Sequence, residues 1–244
     1  MASGEARALH AKNGLPVMIV GAHGRAMWSE VFEGAPYILR PRRFNGGRFQ
    51  RLVSGGGVRP YIAQKTPTKW MWREYKPKPA EIFFTDAERA FAEPFRGMVM
   101  LEPEVKNIGH DNKAWPLSRW VELAATFGIN AAVQCVPPDA TRTLPPNVLK
   151  VATPTFRHAA AVLAVSKAFV GTDGGLMHAA AAVGTPAVIL WSEFTSPAIC
   201  GYATMTNIRH AGKPCGNRLQ CKGCHEAMSK ITVDEVSAAL KGLL

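Results

Sequence analysis

The feature that most constrains the fold is the segment 167–190, KAFVGTDGGLMHAAAAVGTPAVIL, in which two apolar runs flank an alanine-rich stretch. We predict strands at 168–171 and 187–191. Between them we predict a helix at 176–183, which a following glycine and proline would end. A strand, a helix and a second strand in such close succession are typical of a parallel sheet covered by helices.

The turn between the first strand and the helix contains Thr172, Asp173, Gly174 and Gly175. A helix N-terminus presents unpaired N–H groups and a partial positive charge, which suit an anion such as a pyrophosphate. Glycines there let the backbone approach such a ligand closely. The same glycine pair also suits a tight turn that binds nothing.

The same alternation continues through the C-terminal part of the chain. Predicted strands lie at 98–103 and 130–136, and predicted helices lie at 116–128, 155–166 and 231–244, the last with Thr232 as N-cap. Strands that alternate with helices of this length indicate an α/β fold, with a parallel sheet and helices on both of its faces.

Two loops are expected to meet at one edge of this sheet, because ligands of parallel sheets bind at the carboxyl ends of the strands. One loop is the turn at 172–175. The other follows the strand at 98–103 and contains Lys106, His110 and Lys113, whose side chains suit a phosphate. With N–H groups from one loop and cations from the other, we favour a phosphate-binding crevice over a simple tight turn.

The first half of the chain has a weaker pattern. Its predicted elements are helices at 5–11 and 86–93, with Asp86 as N-cap of the second, and strands at 16–20 and 37–39. The segment 40–78 shows no convincing periodicity. We therefore predict a short N-terminal domain at 1–95 and a C-terminal domain at 96–244.

Almost all of the net charge of +11 lies in residues 40–78, which we call the basic segment. This glycine-rich segment contains eleven Lys or Arg residues against one acid, Glu74, and it carries Trp70, Trp72 and Tyr75. Cations interleaved with aromatic rings suit nucleic acid, a phosphorylated glycan or an anionic membrane surface. A solvated basic loop without a ligand is an equally good interpretation.

Three of the five cysteines, Cys215, Cys221 and Cys224, lie close together in the sequence. An odd number of cysteines in a chain without a secretion signal argues against a disulfide framework. The spacing C-x5-C-x2-C can form a zinc site with His225 or His210 as fourth ligand. It is not the spacing of a standard zinc finger, and reduced thiols are the preferred interpretation.

The sequence contains no apolar run of the roughly 18 residues that would suggest a transmembrane helix. Its first residues, MASGEARALHAKNG, lack the basic and then apolar layout of a signal peptide. We therefore expect a cytoplasmic protein.

Several segments, taken in order, resemble glycosyltransferase family 9, the ADP-heptose:lipopolysaccharide heptosyltransferases. FVGTDGGLMHAAAAVGTPAVIL resembles the D-x-G-x-x-H-x-x-A-A helix of that family, and NKAWPLSRWVELA resembles its K-x-W-P-x-x-x-W-x-x-L segment. The tail, from WSEFTSP through C-x5-C-x2-C to ITVDEV, resembles the family's C-terminal end. The likeness is good over residues 97–244 and weaker over the first 40.

The resemblance implies an α/β fold of the GT-B type, in which two Rossmann-like domains with parallel sheets face each other across a cleft. The N-terminal one is expected to be short and incomplete here. The resemblance also implies metal-independent transfer of a sugar, with inversion, from a nucleoside diphosphate donor on the C-terminal domain to an acceptor on the N-terminal one.

The resemblance further implies roles for individual residues. Asp173 would accept hydrogen bonds from hydroxyls of the donor sugar, and Lys113 would neutralise the departing diphosphate. His178 would orient Asp173 or a phosphate, unless it is a packed histidine bonded to the backbone. From loop position alone, and not from the resemblance, we expect Asp139 or Glu102 to meet the nucleoside. The predicted donor-binding residues are Thr172, Asp173, Gly174, Gly175, Leu176, Met177, His178 and Asp139.

The beginning of the chain departs from the family pattern. Family members open with an apolar strand and a Gly-Asp pair, whose aspartate resembles a general base for the acceptor hydroxyl. Here MASGEARALH resembles the helix that follows that pair, so Glu5 is the nearest candidate base. There are three alternatives: Glu5 is an exposed helical glutamate, the sequence starts late, or the protein binds donor and catalyses poorly. Poor catalysis would follow from loss of the base, because a general base contributes about 10²–10⁴-fold to the rate.

The sequence thus predicts a glycosyltransferase that moves heptose from ADP-heptose to a phosphorylated glycan such as the lipopolysaccharide core, without a cofactor. Its expected partners are the nucleotide-sugar, the glycan precursor and, peripherally, the inner membrane. Two alternatives stay open: a glycosyltransferase acting on nucleic acid or protein, and a non-catalytic module that binds a nucleotide-sugar or, through the basic segment, nucleic acid.

Overall fold

The predicted α/β alternation is confirmed in a computed structural model of the protein, which describes residues 1–44, 46–54, 59–105 and 111–244. The strands are β1 (Val17–Val20), β2 (Gln50–Val53), β3 (Ile62–Lys65), β4 (Trp70–Trp72), β5 (Val99–Leu101), β6 (Ala132–Val136), β7 (Leu149–Ala152), β8 (Ala168–Thr172), β9 (Ala187–Trp191) and β10 (Thr206–Arg209). The helices are α1 (Ala2–Asn13), α2 (Asp86–Ala92), α3 (Leu117–Ala125), α4 (Phe156–Val165), α5 (Gly175–Val183), α6 (Pro197–Cys200), α7 (Lys222–Lys230) and α8 (Val233–Lys241). Short 3-10 turns lie at Glu30–Phe32, Pro41–Arg43 and Glu93–Phe95.

The C-terminal part is built on a six-stranded sheet in the order β10-β9-β8-β5-β6-β7, in which all neighbours pair in parallel. All residues of β8 and β9 are buried, as expected for strands covered on both faces. Met100, Phe169 and Ile189 pack with α4 and α5 on one face, whereas Val170 and Leu190 pack with α3 and α8 on the other. The carboxyl ends of β5, β6 and β8 therefore lie along one edge.

The N-terminal part contains a smaller parallel sheet of β1 and β2. Ile38 adds one parallel bridge to Val17, so the strand predicted at 37–39 is reduced to that contact. A separate apolar cluster, which includes Ala6, Ile19 and Phe32, joins α1 to this sheet. These features confirm the expected fold class, with one full parallel sheet and a short, incomplete second one.

The basic segment is more ordered than its sequence pattern indicates. It contributes β2 to the N-terminal sheet, and β3 pairs with β4 in an antiparallel hairpin. Tyr61, Ile62 and the two tryptophans of β4 pack on the apolar cluster of the C-terminal sheet. The domain boundary between 95 and 96 stays a prediction.

The helix ends follow capping rules. Thr232 caps α8 as predicted, its hydroxyl accepting a hydrogen bond from the Glu235 N–H at 3.2 Å. The predicted cap Asp86 is wrong by one position, because Thr85 caps α2 and forms a reciprocal capping box with Glu88. Within the described ranges, no helix is both long and apolar enough to cross a membrane.

Arg157 of α4 links the two parts of the protein through a buried guanidinium group. It forms two 2.6 Å contacts with the Glu88 carboxylate, and it donates to the carbonyls of Phe83 at 2.6 Å and Glu30 at 3.1 Å. Hydrogen bonds from Arg157 are the main reason why the pKa of Glu88 falls to about 2. A buried charge with this many acceptors fixes α4 against α2 and against the N-terminal segment.

Removing Arg157 should therefore destabilise the fold strongly. We expect Arg157→Ala to lower the free energy of unfolding by about 3–5 kcal/mol, because Glu88 is left buried without its partner. The exposed Arg89–Asp86 pair on α2 provides the control, and Arg89→Ala should cost less than about 1 kcal/mol. Urea unfolding followed by circular dichroism measures both, and equal effects would contradict the assigned role.

Candidate functional site

The turn between β8 and α5 lies at the carboxyl edge of the sheet, as predicted. Thr172 ends the strand, Gly174 is the N-cap of the helix, and Gly175 is its first residue. Both glycines are exposed, and a Cβ on Gly175 would meet the Phe156 ring at 3.1 Å. The N–H groups of the first turn, from Gly175 through Met177, lack intrahelical partners and are available to an anion.

Lys113 reaches this turn from the loop after β5. Its Nζ atom lies 2.5 Å from Oδ2 of Asp173 and 3.1 Å from the Asp173 carbonyl oxygen. The structure therefore brings together the two residues to which the sequence assigned the central roles. Lys106 and His110 of the same loop lie outside the described residues.

Asp173 is buried, with only 5% of its side chain exposed. Burial raises the pKa of its carboxyl group, whereas the charge of Lys113 acts in the opposite direction. Its second oxygen, Oδ1, is buried without a hydrogen-bond partner in the described part of the chain. Such an acceptor calls for a donor from a bound molecule.

An aromatic wall, which was not predicted from the sequence, flanks Lys113. Nζ of Lys113 lies 5.0 Å from the centre of the Phe194 ring, and Trp72 packs edge-on against that ring at 5.2 Å. The Trp72 indole N–H donates to the Phe194 carbonyl at 3.0 Å. The motif WSEFTSP was the available signal for Phe194, but it does not reveal contact with a hairpin more than a hundred residues away.

His178 lies on the first turn of α5. Its Nδ1 atom and the hydroxyl of Tyr202 share a 3.0 Å hydrogen bond. Burial lowers the pKa of His178 to about 3, and the positive charges of Lys113 and Arg59 act in the same direction. The imidazole is therefore neutral at physiological pH, and its partner is a side chain rather than the backbone.

Glu5, the candidate base, lies on the first turn of α1. It accepts a hydrogen bond from the Tyr75 hydroxyl and pairs with Lys78 at 3.4 Å. About a quarter of its side chain, 24%, is exposed. The Glu5 carboxylate is therefore fixed by its contacts with Tyr75 and Lys78 and is not a free surface group.

The candidates for nucleoside contact lie in the loops after β5 and β6. Asp139 is exposed, whereas Glu102 is buried and accepts a 3.0 Å hydrogen bond from the Glu104 N–H. Burial raises the pKa of Glu102 to about 8. Glu104 in turn accepts from the backbone N–H groups of Thr141 and Arg142, which ties the two loops together.

A second cationic group surrounds Trp70, and we call it the Trp70 cluster. Arg59, Lys65 and Arg218 place their charged groups 5.2, 5.5 and 5.4 Å from the indole ring. Burial and the two arginines lower the pKa of Lys65. Arg59 and Lys65 come from the basic segment, of which residues 45 and 55–58 are not described, whereas Arg218 was not predicted.

The three clustered cysteines also come together, with their Sγ atoms all within 4.8 Å of one another. Neither predicted fourth ligand joins them among the described residues. His210 pairs instead with Glu235 at 2.8 Å, and the ring of His225 lies outside the group of sulfurs.

Comparison with known proteins identifies the family. The family model of glycosyltransferase family 9 (heptosyltransferase) matches residues 72–231. No curated protein sequence matches the chain.

Two solved structures share the fold. ADP-heptose lps heptosyltransferase II of E. coli is 22% identical with a TM-score of 0.51, and the match covers 73% of this chain and 55% of that one. A glycosyl transferase family 9 protein of Veillonella parvula DSM 2008 is 18% identical with a TM-score of 0.51, covering 68% and 54%. The chain thus spans about half the length of these structures, and both likenesses support the GT-B type of fold.

The buried Glu102 makes the stability of the protein depend on pH. The folded protein keeps the Glu102 proton up to about pH 8, whereas the unfolded chain releases it near 4.5. Stability contributed by this group is therefore present below pH 4.5 and is lost as the pH rises through 8. We expect Glu102→Gln, which stays neutral, to flatten the decline in urea midpoint between about pH 5 and pH 8.

The exposed Glu226 supplies the matched control, since Glu226→Gln should leave the pH profile of the urea midpoint unchanged. Parallel profiles for wild type and Glu102→Gln would show that Glu102 is ionised in the folded protein.

Proposed function

Since the chain belongs to glycosyltransferase family 9, we propose that it transfers heptose from ADP-heptose to a phosphorylated glycan such as the inner core of lipopolysaccharide. The donor, the acceptor and the activity of the whole protein are all part of this proposal. The observation that carries it is the Lys113–Asp173 pair at the open N-terminus of α5.

The N-terminus of α5 is the proposed site of the donor diphosphate. Unpaired N–H groups from Gly175 to Met177 would bind its oxygens, and the partial positive charge of the helix favours an anion there. The exposed glycine pair leaves the backbone open to such a ligand. Thr172, at the end of β8, would border the same phosphate.

Asp173 is the proposed contact for the sugar. Its unpartnered Oδ1 atom supports this role, because a sugar hydroxyl would supply the missing hydrogen bond. A site that is built to accept a hydroxyl discriminates strongly against molecules that lack one. The proposed donor is therefore bound through both its diphosphate and its sugar.

Lys113 is the proposed group that stabilises the leaving diphosphate. In the reaction, the bond between the anomeric carbon and the phosphate oxygen breaks and leaves the electron pair on the diphosphate. A lysine that moves from the Asp173 carboxylate to that oxygen would neutralise the charge where it develops. This supports transfer without a metal ion at the diphosphate.

Inversion requires the acceptor hydroxyl to attack from the face opposite the diphosphate and to lose its proton. Glu5 is the proposed base that takes this proton, and its contacts with Tyr75 and Lys78 support a fixed position. His178, neutral and bonded to Tyr202, is assigned to positioning of α5 rather than to proton transfer.

The nucleoside is assigned to the loops after β5 and β6. Glu102 and Asp139 lie there, and the hydrogen bonds of Glu104 to the second loop support a shared binding surface. A protonated Glu102 would donate to a base or ribose oxygen.

The Trp70 cluster is the proposed contact for phosphate groups of the acceptor. Among the described residues, Arg59 and Arg218 form no ion pair with a carboxylate, and the Nε atom of Arg218 is buried without a partner. The Trp70 ring lies 5.8 Å from Phe194, which contacts Lys113. The cluster therefore adjoins the proposed donor site.

The same cations around an aromatic ring also fit nucleic acid, which is the second candidate. The two activities separate by mutation. Nucleic-acid binding would survive Lys113→Ala and Asp173→Ala, but charge reversal across residues 40–51 would weaken it and reduce its salt dependence.

Calorimetric titration with ADP, UDP, GDP and ADP-heptose tests the donor site. We expect selective binding of ADP and tighter binding of ADP-heptose. Asp173→Ala should reduce the preference for ADP-heptose over ADP at least about tenfold, because only the sugar contacts Asp173. Lys113→Ala should weaken the binding of both ligands and reduce the transfer rate about 10²–10³-fold.

Exposed residues of the same types serve as controls for this titration. Asp86→Ala and Lys222→Ala, whose side chains are 100% and 90% exposed, should bind all four ligands like the wild type. If no nucleotide binds the folded protein, the donor proposal fails, and the β8–α5 turn has no role in binding a diphosphate.

Transfer assays with a heptose-free lipopolysaccharide precursor and its dephosphorylated form test the acceptor site. We expect Arg59→Ala to raise KM several-fold for the phosphorylated form only, since an exposed charge contact contributes about 1 kcal/mol or less. Arg42→Ala, an exposed arginine of the basic segment outside the Trp70 cluster, is the control. An equal rise of KM for both forms would refute phosphate recognition by Arg59.

A further inference from the structure

The three clustered cysteines form a preorganised group of sulfur atoms outside the proposed donor site. The Sγ atom of Cys215 lies 3.5 Å from that of Cys224 and 3.8 Å from that of Cys221. All three are free thiols, since a disulfide would bring two sulfurs to about 2.05 Å. Cys224 is buried and the other two are half-buried.

These separations match tetrahedral coordination. Zinc binds thiolate sulfur at about 2.3 Å, so two sulfurs at adjacent corners of a tetrahedron lie about 3.8 Å apart. We propose that Cys215, Cys221 and Cys224 bind a Zn²⁺ ion as thiolates. Binding releases the three thiol protons to solvent and oxidises nothing.

The surroundings of the sulfurs suit a bound metal. The Asn217 N–H donates to Cys215 Sγ at 3.4 Å, a bond typical of the outer shell of a metal site. Cys221 is the N-cap of α7 and Cys224 lies in its first turn, so one helix end holds two of the three sulfurs.

Neither predicted histidine supplies a fourth ligand among the described residues. His210 is held by Glu235, and His225 follows Cys224 on α7 with its ring outside the group of sulfurs. The His225 Nε2 atom is buried without a hydrogen-bond partner among the described residues. The site therefore has three protein ligands, and its geometry differs from the four-ligand site that the sequence suggested.

The ion would hold the loop that carries two of these cysteines, residues 215–221, against the proposed donor site. The side chain of Asn112 donates to the carbonyls of Asn217 at 2.9 Å and Leu219 at 2.7 Å, and it accepts from the Cys221 N–H at 3.0 Å. Asn112 directly precedes Lys113. The loop thus sets the position of the lysine that pairs with Asp173.

The same loop supports the aromatic wall. The Cys215 N–H donates to the Glu193 carbonyl at 2.8 Å, and the Gly216 N–H donates to the Phe194 carbonyl at 3.0 Å. Gly216 has a φ of +61°, and a Cβ there would lie 1.9 Å from the Trp70 carbonyl oxygen. Zinc is therefore placed as a structural element that joins α7 to the β3–β4 hairpin and to Phe194.

The test is metal analysis of the purified protein by inductively coupled plasma mass spectrometry. We expect roughly one zinc per chain, falling below about a tenth of that in Cys221→Ser and Cys224→Ser. Cys135→Ala, His210→Gln and His225→Ala should keep the ion, because these residues lie outside the three sulfurs.

Cobalt substitution provides a second readout that does not depend on the folding of variants. Wild-type protein stripped of zinc and loaded with Co²⁺ should show thiolate-to-cobalt charge transfer and the visible bands of tetrahedral cobalt. A chain that neither contains nor takes up metal, a Cys215–Cys224 disulfide, or stoichiometric iron in place of zinc would each overturn the assignment. These outcomes are independent of nucleotide binding, so the zinc proposal and the donor proposal can fail separately.

Discussion

The buried guanidinium of Arg157 is the interaction on which the arrangement of the two parts depends. A charge this deep is tolerated only when acceptors surround it, and here they come from α2 and from two stretches of the N-terminal part. Arg157 also fixes the start of α4, where Phe156 lies against Gly175 of α5. The helix that offers its N-terminus to an anion thus contacts the residue next to the buried ion pair.

The candidate site holds a pair of opposite charges at the carboxyl edge of the sheet. Lys113 and Asp173 neutralise each other across two loops. This pairing offsets the desolvation cost of burying the carboxylate in a crevice with apolar walls. A diphosphate would compete for the lysine at Oδ2, and a sugar hydroxyl would donate to the unpartnered Oδ1 of the same carboxylate. Binding of the donor thus exchanges one set of charge contacts for another instead of adding charge to an empty pocket.

Much of the C-terminal fold was predictable because β8 and β9, which flank α5, are buried on both faces. Their sequences are continuous apolar runs whose boundaries are marked by glycine and proline. The strands β7 and β10 were missed because they lie at the two edges of the sheet, where polar residues interrupt the apolar pattern. The hairpin of β3 and β4 was missed for a similar reason. Lysine and arginine residues interrupt its apolar residues at irregular intervals.

Residues of the site could be predicted only where a short stretch of sequence was enough to indicate their role. The turn at 172–175 and Lys113 could be found from their positions after strands, whereas their pairing depends on the order of strands in the sheet. Contacts between distant segments left no sequence signal, as with Asn112 and the cysteine loop or Arg218 and Trp70. For the cysteines, the spacing indicated a possible cluster, but it could not reveal that neither candidate histidine joins the three sulfurs.

The aromatic wall beside Lys113 has an optical consequence. Phe194 lies between the ammonium group and the indoles of Trp70 and Trp72, with ring centres 5.8 and 5.2 Å away. Indole emission responds to nearby charge, and a ligand that draws Lys113 toward a phosphate would alter the electric field at both rings. These two indoles would therefore act as an intrinsic, label-free reporter of occupancy of the proposed site.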